Sequence, residues 1–295
     1  MNRAPAAEGA DRALARRGVV FILLAAVLWS FNGPIVKLVH QAGADMWTIA
    51  FYRSLIAGLL LTPIALRRLG SNRLTSGALV SVVAFTAMTV CFIGATTMTQ
   101  AANAIVLQYT APIWVFIFAP WLLGERAERR DRVILVLALV GVVVIFAGQG
   151  ATPDLPGLLV GLAAGFTYGL LMVVLRWLRG TDTVVITCAN ALGSALLLLP
   201  VTAALSTFGL DGRQLAYLVL LGALTFGLPY VLFTAGLRTV SAHRAVLLTL
   251  IEPVLNATWT WLIVGEVPHR TTLIGGAVIL AAVALQVVLS VRRMR

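Results

Sequence analysis

The sequence predicts an all-α polytopic membrane protein, with ten transmembrane helices arranged as two inverted five-helix repeats. Three observations lead there. Apolar residues make up 60% of the 295 positions and charged residues only 11%, against about 45–50% and about 25% in soluble domains. Apolar runs long enough to cross a bilayer recur along the whole chain. The basic residues between those runs fall alternately on one side and then the other.

Ten runs can be delimited, at about 18–38, 46–66, 76–97, 104–123, 132–148, 157–178, 183–203, 214–235, 245–264 and 271–291. Helix is required in them because lipid cannot satisfy an open backbone. Residues 1–17 are polar and basic, and the run after them continues to Lys37 without an Ala-x-Ala exit. It is expected to be a retained first span rather than a cleaved signal peptide. Pro34, Pro112, Pro229 and Pro253 lie inside spans 1, 4, 8 and 9. Each removes a backbone donor and is expected to kink its helix, freeing carbonyls near mid-membrane. Cys91 and Cys188 sit in mid-run, where they read as small buried hydrophobes with no disulfide or metal pattern.

The net charge is +11, from 22 basic and 11 acidic residues. With the N-terminus in the cytoplasm, the cytoplasmic side collects Arg3, Arg12, Arg16, Arg17, Arg67, Arg68, Arg73, Arg126, Arg129, Arg130, Arg132, Arg176, Arg179, Arg238, Arg244, Arg292, Arg293 and Arg295. The other side keeps Lys37, Arg53, Arg213 and Arg270. A split of 18 to 4 that alternates with every span supports both the span count and an orientation with both termini in the cytoplasm. The basicity is therefore an orientation signal, and no nucleic-acid partner is expected.

A shift of 141 residues lays span 4 on span 9. Ala101, Ala104, Leu107, Pro112, Gly124, Glu125 and Arg129 meet Ala242, Ala245, Leu248, Pro253, Gly265, Glu266 and Arg270. A looser match sets Ala25–Trp29 of span 1 beside Ala164–Tyr168 of span 6. The expected organisation is a cytoplasmic segment at 1–17, a first repeat at 18–150 and a second at 151–295. Five spans per copy is an odd number, so the second copy enters the membrane upside down. Inverted repeats of this kind mark secondary transporters, whose substrate site lies near the midplane between the copies.

The ten spans, the two Gly-Glu helix ends, Pro112 and Pro253, and Tyr52-Arg53 in span 2 together resemble the drug/metabolite transporter superfamily. Within it the chain is most similar to the EamA-type exporters, from about residue 18 onward. The resemblance implies a basket of helices around a central cavity, lined mainly by the first, third and fourth helices of each half. It also implies export of amino acids or related metabolites, with the aromatic amino-acid exporters as a similar subgroup. The implied setting is the cytoplasmic (inner) membrane.

Candidate site residues come from polar and aromatic groups where lipid alone would not favour them. Thr249, Glu252, Asn256 and Trp259 share one face of span 9. An acid deep in a membrane is costly and faces a cavity or a partner. Glu252 is therefore expected to bind a substrate ammonium or exchange a proton, the alternative being a packing contact with a neighbouring helix. Asn256 is placed with it. At the 141 offset Thr249, Glu252 and Asn256 map to Gln108, Ala111 and Val115, so one copy keeps the acid and the other contributes Gln108. Trp29 and Tyr168 occupy matching mid-depth positions, and Asn32 follows Trp29 by about one turn. All three are expected to line the pathway, against ordinary core packing. In the stripe Phe226, Tyr230 and Phe233, only Tyr230 is assigned to the site; the rest reads as a packing or lipid face. Arg53 reads as snorkelling to the interface, with a substrate carboxylate as the alternative partner. Asn103 and Arg244 read as helix caps. Gly157, Gly161, Gly165 and Gly169 form a close-packing stripe or a sliding surface.

An intramembrane enzyme would need a nucleophile with a base, or a metal cluster, inside the spans. His40, His243 and His269 fall at loop ends, and no phosphate-binding Gly loop occurs. No catalytic residue, cofactor or metal is expected. A channel filter or charged ring is also missing from the sequence. The expected partners are a small-molecule substrate and the lipid bilayer, with the chain a monomer or weak homodimer. Export of amphiphilic cations and a purely structural membrane subunit remain as alternatives.

Overall fold

The structure is a computed structural model and describes residues 5–70, 76–98, 101–147, 155–206, 208–265 and 270–292. The first five spans are built from α1 (Pro5–Trp29), α2 (Asn32–Gln41), α3 (Met46–Leu69), α4 (Ser76–Met98), α5 (Ala101–Gln108), α6 (Ala111–Leu123) and α7 (Arg129–Ala147). The second five follow as α8 (Leu155–Trp177), α9 (Thr183–Leu205), α10 (Gly212–Gly222), α11 (Leu228–Gly236), α12 (Ala242–Thr249), α13 (Glu252–Val264) and α14 (Arg270–Arg292). A π-helical segment, Ala223–Gly227, joins α10 to α11. Among the described residues seven runs are long and apolar enough to cross a membrane. The other three spans are the α5–α6 pair, α7 and α14. Large apolar side chains such as Leu79, Val83, Leu196 and Trp121 cover the outside, an arrangement suited to lipid.

Spans 1, 4, 8 and 9 are not the continuous α-helices their apolar runs suggest, and proline explains why. Its ring collides with the carbonyl four residues back. Pro34, Pro112 and Pro253 place that collision at Ser30, Gln108 and Thr249. The helices end at Trp29, Gln108 and Thr249 and restart at Asn32, Ala111 and Glu252. In span 8 the residue four before Pro229 is Thr225, and the chain there widens into the π segment instead of breaking.

The breaks also display the internal repeat. Every boundary of α5 and α6 reappears 141 residues later in α12 and α13. Both copies stop on a left-handed glycine, Gly124 at φ 66° and Gly265 at φ 81°. That conformation costs a residue with a Cβ but not glycine. Glu266, the second residue of the repeated Gly-Glu pair, lies outside the described residues.

The two halves are interlocked rather than juxtaposed. Extensive packing joins α3 to α9, α4 to α8, α7 to α14 and α1 to α11, each pair taking one helix from either repeat. These pairings map onto one another when the repeats are exchanged, as a pseudo-two-fold axis in the membrane requires. Within the glycine stripe of α8, a Cβ on Gly165 would stand 2.1 Å from Thr110 Oγ1 and 2.6 Å from the Leu107 carbonyl oxygen. The stripe thus packs directly on the break of span 4. Gly165→Ala is expected to destabilise the protein by about 1–3 kcal/mol through overpacking against backbone, read as a lowered thermal midpoint in detergent. Gly161→Ala meets only the movable Leu107 side chain and should cost less.

Aspartates start several helices. Asp182 caps α9, and Asp211 forms a capping box with Gln214 at α10. Asp45 caps α3, accepting from the Trp47 and Thr48 amides at 2.8 and 3.1 Å. It also accepts hydroxyl bonds from Thr48 and from Ser206 of the other repeat. Partial burial pushes its pKa up, but the bonds from Ser206, Thr48 and Trp47 outweigh that and hold it below 3.8. A carboxylate held low stabilises the fold above its unfolded pKa and loses that contribution as pH falls through the folded value. Stability should therefore drop in acid below 3.8, and Asp45→Asn should flatten that limb of a melting-temperature profile.

Candidate functional site

The helix breaks leave backbone groups without helical partners in the interior, and at the α1–α2 break a side chain from the opposite repeat takes one up. The Ser30 carbonyl, at the α1–α2 break, accepts from Asn256 Nδ2 at 2.8 Å. Trp259 Nε1 donates to Ser30 Oγ at 2.8 Å, and its ring stacks on Phe31 at 4.6 Å. This is how span 9 is fastened to span 1. Asn256 is thereby committed to the α1–α2 break and does not line the cavity beside it. Thr249 likewise turns to its own backbone, bonding the Val246 carbonyl.

The cavity next to these breaks is lined by Trp29, Asn32, Arg53, Met88, Phe92, Gln108, Tyr168, Thr225, Phe226, Tyr230 and Glu252. It takes residues from spans 1, 2, 3 and 4 of the first repeat and spans 6, 8 and 9 of the second. Of the residues singled out by sequence, Trp29, Asn32, Gln108, Tyr168, Tyr230 and Glu252 converge here. The cavity volume is only about 10 Å³, room for about one water. The side chains are closed down on one another.

An aromatic wall organises the cavity. Trp29 meets Tyr168 edge-on at 6.1 Å and Tyr230 at 4.9 Å. Tyr230 in turn meets Phe85 at 4.8 Å and Phe226 at 5.5 Å. Edge-to-face pairs of this kind fix ring orientation. Glu252 is the first residue of α13, so the break of span 9 delivers its carboxyl to the cavity. The Tyr109 hydroxyl, from the matching break of span 4, is directed at that carboxyl without completing a well-formed hydrogen bond.

Arg53 corrects an expectation. It does not snorkel to an interface but is 1% exposed, inside the cavity. Its guanidinium carbon lies 4.2 Å from the centre of the Phe226 ring and 5.9 Å from that of Phe92. Phe226 is likewise buried on the cavity, so the stripe of span 8 is not a lipid face. Met88, Phe92 and Thr225 carry no signal in the sequence, because in apolar helices their types match ordinary core. Arg53 carried the same signal as Glu252, a charge inside an apolar run.

Both ends of the bundle are latched across the repeats. At one end Glu125 Oε1 receives Arg176 Nε and Nη2 at 2.7 Å each, while Oε2 caps the Ala242 amide of α12 at 3.1 Å. Glu128 pairs with Arg244 at 2.8 Å, and Gln286 reaches Asp131 at 3.4 Å. Arg244 is thus an ion-pair partner and not the cap expected of it; the side chain of Asn103 lies outside the described residues. At the other end Asp45 and Thr48 meet Ser206, Tyr52 donates to the Phe208 carbonyl at 2.8 Å, and Gln214 donates to the Ala42 carbonyl at 2.7 Å.

Comparison with known proteins agrees with this architecture. The model of the EamA-like transporter family matches twice, over residues 16–147 and 155–288. An uncharacterized transporter of Archaeoglobus fulgidus is 32% identical over 275 residues, covering 92% of this chain and 96% of its own. The pseudopaline exporter CntI of Pseudomonas aeruginosa is 27% identical over 275 residues, covering 91% and 95%. A protein solved by crystallography superposes with a TM-score of 0.80 over 94% of this chain and 98% of its own, at 19% identity, which establishes a shared fold. The chain is a multi-pass membrane transporter, not an enzyme, and belongs to the EamA-like transporter family.

Proposed function

We propose that this transporter is a secondary exporter of amino acids, aromatic ones among them, or of related small metabolites. It works by alternating access through the central cavity, in the cytoplasmic membrane and with both termini in the cytoplasm. The observation that carries the reading is Glu252 at the start of a half-helix, facing an aromatic-walled cavity between the two repeats. A carboxyl there can pair with a substrate ammonium or give up a proton, while Trp29, Tyr168 and Tyr230 offer rings to an apolar side chain. Pseudopaline export by a relative supports the outward direction. The charge asymmetry supports the orientation and grows sharper once Arg53 is placed inside the protein. The Glu125 latch then lies on the cytoplasmic face and the Ser206 latch on the outer one, and alternating access requires each to open in turn. The same carboxyl and rings would also suit an amphiphilic cation, which is the competing reading.

The test is uptake of labelled amino acids into proteoliposomes, with and without a pH gradient, beside labelled quaternary ammonium compounds. Accumulation of amino acids that exchanges with unlabelled solute is the expected result. Exchange of the ammonium compounds alone would replace the substrate class, and exchange of neither would remove the proposal.

A further inference from the structure

Arg53 is a buried cation without a counterion among the described residues. Among the described residues no carboxylate lies within ion-pair distance of it, its Nε has no hydrogen-bond partner, and Nη1 reaches Asn32 Oδ1 only at 3.5 Å. An unpaired charge in a membrane interior is expensive enough that it marks a binding partner by default. Stacking on Phe226 compensates part of this cost, but a ring engages the flat face of a guanidinium and leaves the N–H donors around its edge unused. Those donors border the cavity.

The surroundings hold Arg53 where it is. Gly222 packs on the Arg53 carbonyl oxygen, where a Cβ would approach to 3.0 Å. The π segment begins at the next residue and sets Thr225 and Phe226 against the cavity. π insertions within α-helices occur most often at functional sites. Asn32, the first residue after the α1–α2 break, flanks the guanidinium from the first repeat.

We infer that Arg53 is the carboxylate subsite of the cavity, recognising an organic acid group bidentately through its unused N–H edge, with Asn32 and Phe226 positioning the guanidinium. The inference rests on the transport reading above and deepens it. A simple anion would meet the Glu252 carboxyl in the same cavity. A carboxylate joined to an ammonium satisfies both groups, so the chemical class is a zwitterionic amino acid. Tyr230 lies within electrostatic reach of both Arg53 and Glu252, and all three line the same cavity.

The experiment is thermal stabilisation of the purified full-length chain by each of the twenty amino acids. Those that stabilise it are followed by their α-amides and decarboxylated amines, with 3-phenylpropionate and inorganic phosphate as free anions. In the wild type an amino acid is expected to bind roughly 10–100-fold more tightly than its amide, the range for a charge-assisted pair. Arg53→Gln should erase that preference, and Arg53→Lys should restore part of it. If Arg53→Gln does not fold, the wild-type ratio and Arg53→Lys decide the matter. Equal binding of acid and amide by the wild type, or an undiminished preference in Arg53→Gln, overturns the inference. Stabilisation by 3-phenylpropionate or phosphate but by no amino acid would keep an Arg53-dependent anion site and remove the amino-acid reading. Silence from every compound would remove both.

Discussion

Glu252→Gln is expected to lower substrate counterflow at least tenfold and to flatten what remains against pH. The substitution keeps the size and one acceptor of the side chain, so folding and the α13 start should survive. It removes the negative charge that the cavity offers to an ammonium. Charge-assisted contacts of this kind contribute about 1.5–3 kcal/mol, which is roughly a 10- to 150-fold change in an equilibrium constant. It also removes the one acidic group in the cavity lining, so a proton can no longer be exchanged there. Proteoliposome counterflow measured across the neutral pH range reads both effects at once. Unchanged rates with an unchanged pH profile would return Glu252 to a packing role.

Glu125→Gln is the substitution with the largest expected effect on stability. One carboxylate joins three residues of the second repeat to the end of α6: Arg176 through two short bonds, Arg179 at 3.5 Å, and the α12 amide at Ala242. Its side chain is 16% exposed and that of Arg176 is 11% exposed, so solvent screens the pair less than at an open surface. A lost cap costs about 0.5–2 kcal/mol and a charged hydrogen bond about 1.5–3 kcal/mol. Together these give an expected destabilisation of about 2–5 kcal/mol, read in detergent as a lower thermal midpoint. A double-mutant cycle with Arg176→Gln should return strong coupling, since both changes break one contact. The latch also holds the two repeats together at this end. Its loss should therefore raise the reactivity of cavity-facing positions toward reagents added from the Glu125 side.

The architecture was largely legible in the sequence because lipid imposes a simple rule on it. Ten apolar runs and an alternating charge count are enough to place the spans, and the 141-residue offset survives down to individual helix boundaries. What the runs hide is continuity. Proline predicts trouble at Pro34, Pro112 and Pro253, but whether a helix bends or stops depends on a partner for the freed carbonyls. At the Ser30 carbonyl that partner is Asn256 of the opposite repeat. The site was readable where residue type conflicted with environment, as with Glu252, Asn32 and Gln108. Met88 and Phe92 do not conflict with a membrane interior, so only the fold reveals them. Arg53 was visible but misplaced, because a long basic side chain near a helix end can reach either the interface or the interior. Packing of the π segment on α3 decides which. Asn256 shares a helical face with Glu252, yet one residue serves the scaffold while the other faces the cavity.

The central claim is that transport runs through the cavity between the repeats, and aromatic residues on two kinds of surface test it directly. Trp29 and Tyr168 line that cavity, whereas Trp121 and Trp177 are 86% and 56% exposed on the outside. Counterflow of the identified substrate should fall at least tenfold in Trp29→Ala and Tyr168→Ala, in line with the loss of roughly 0.5–1.5 kcal/mol per ring contact on top of the apolar area each ring covers. Trp121→Ala and Trp177→Ala should retain wild-type counterflow at equal protein density. Equal losses at the cavity and the lipid surface, or full activity in both cavity variants, would contradict the account.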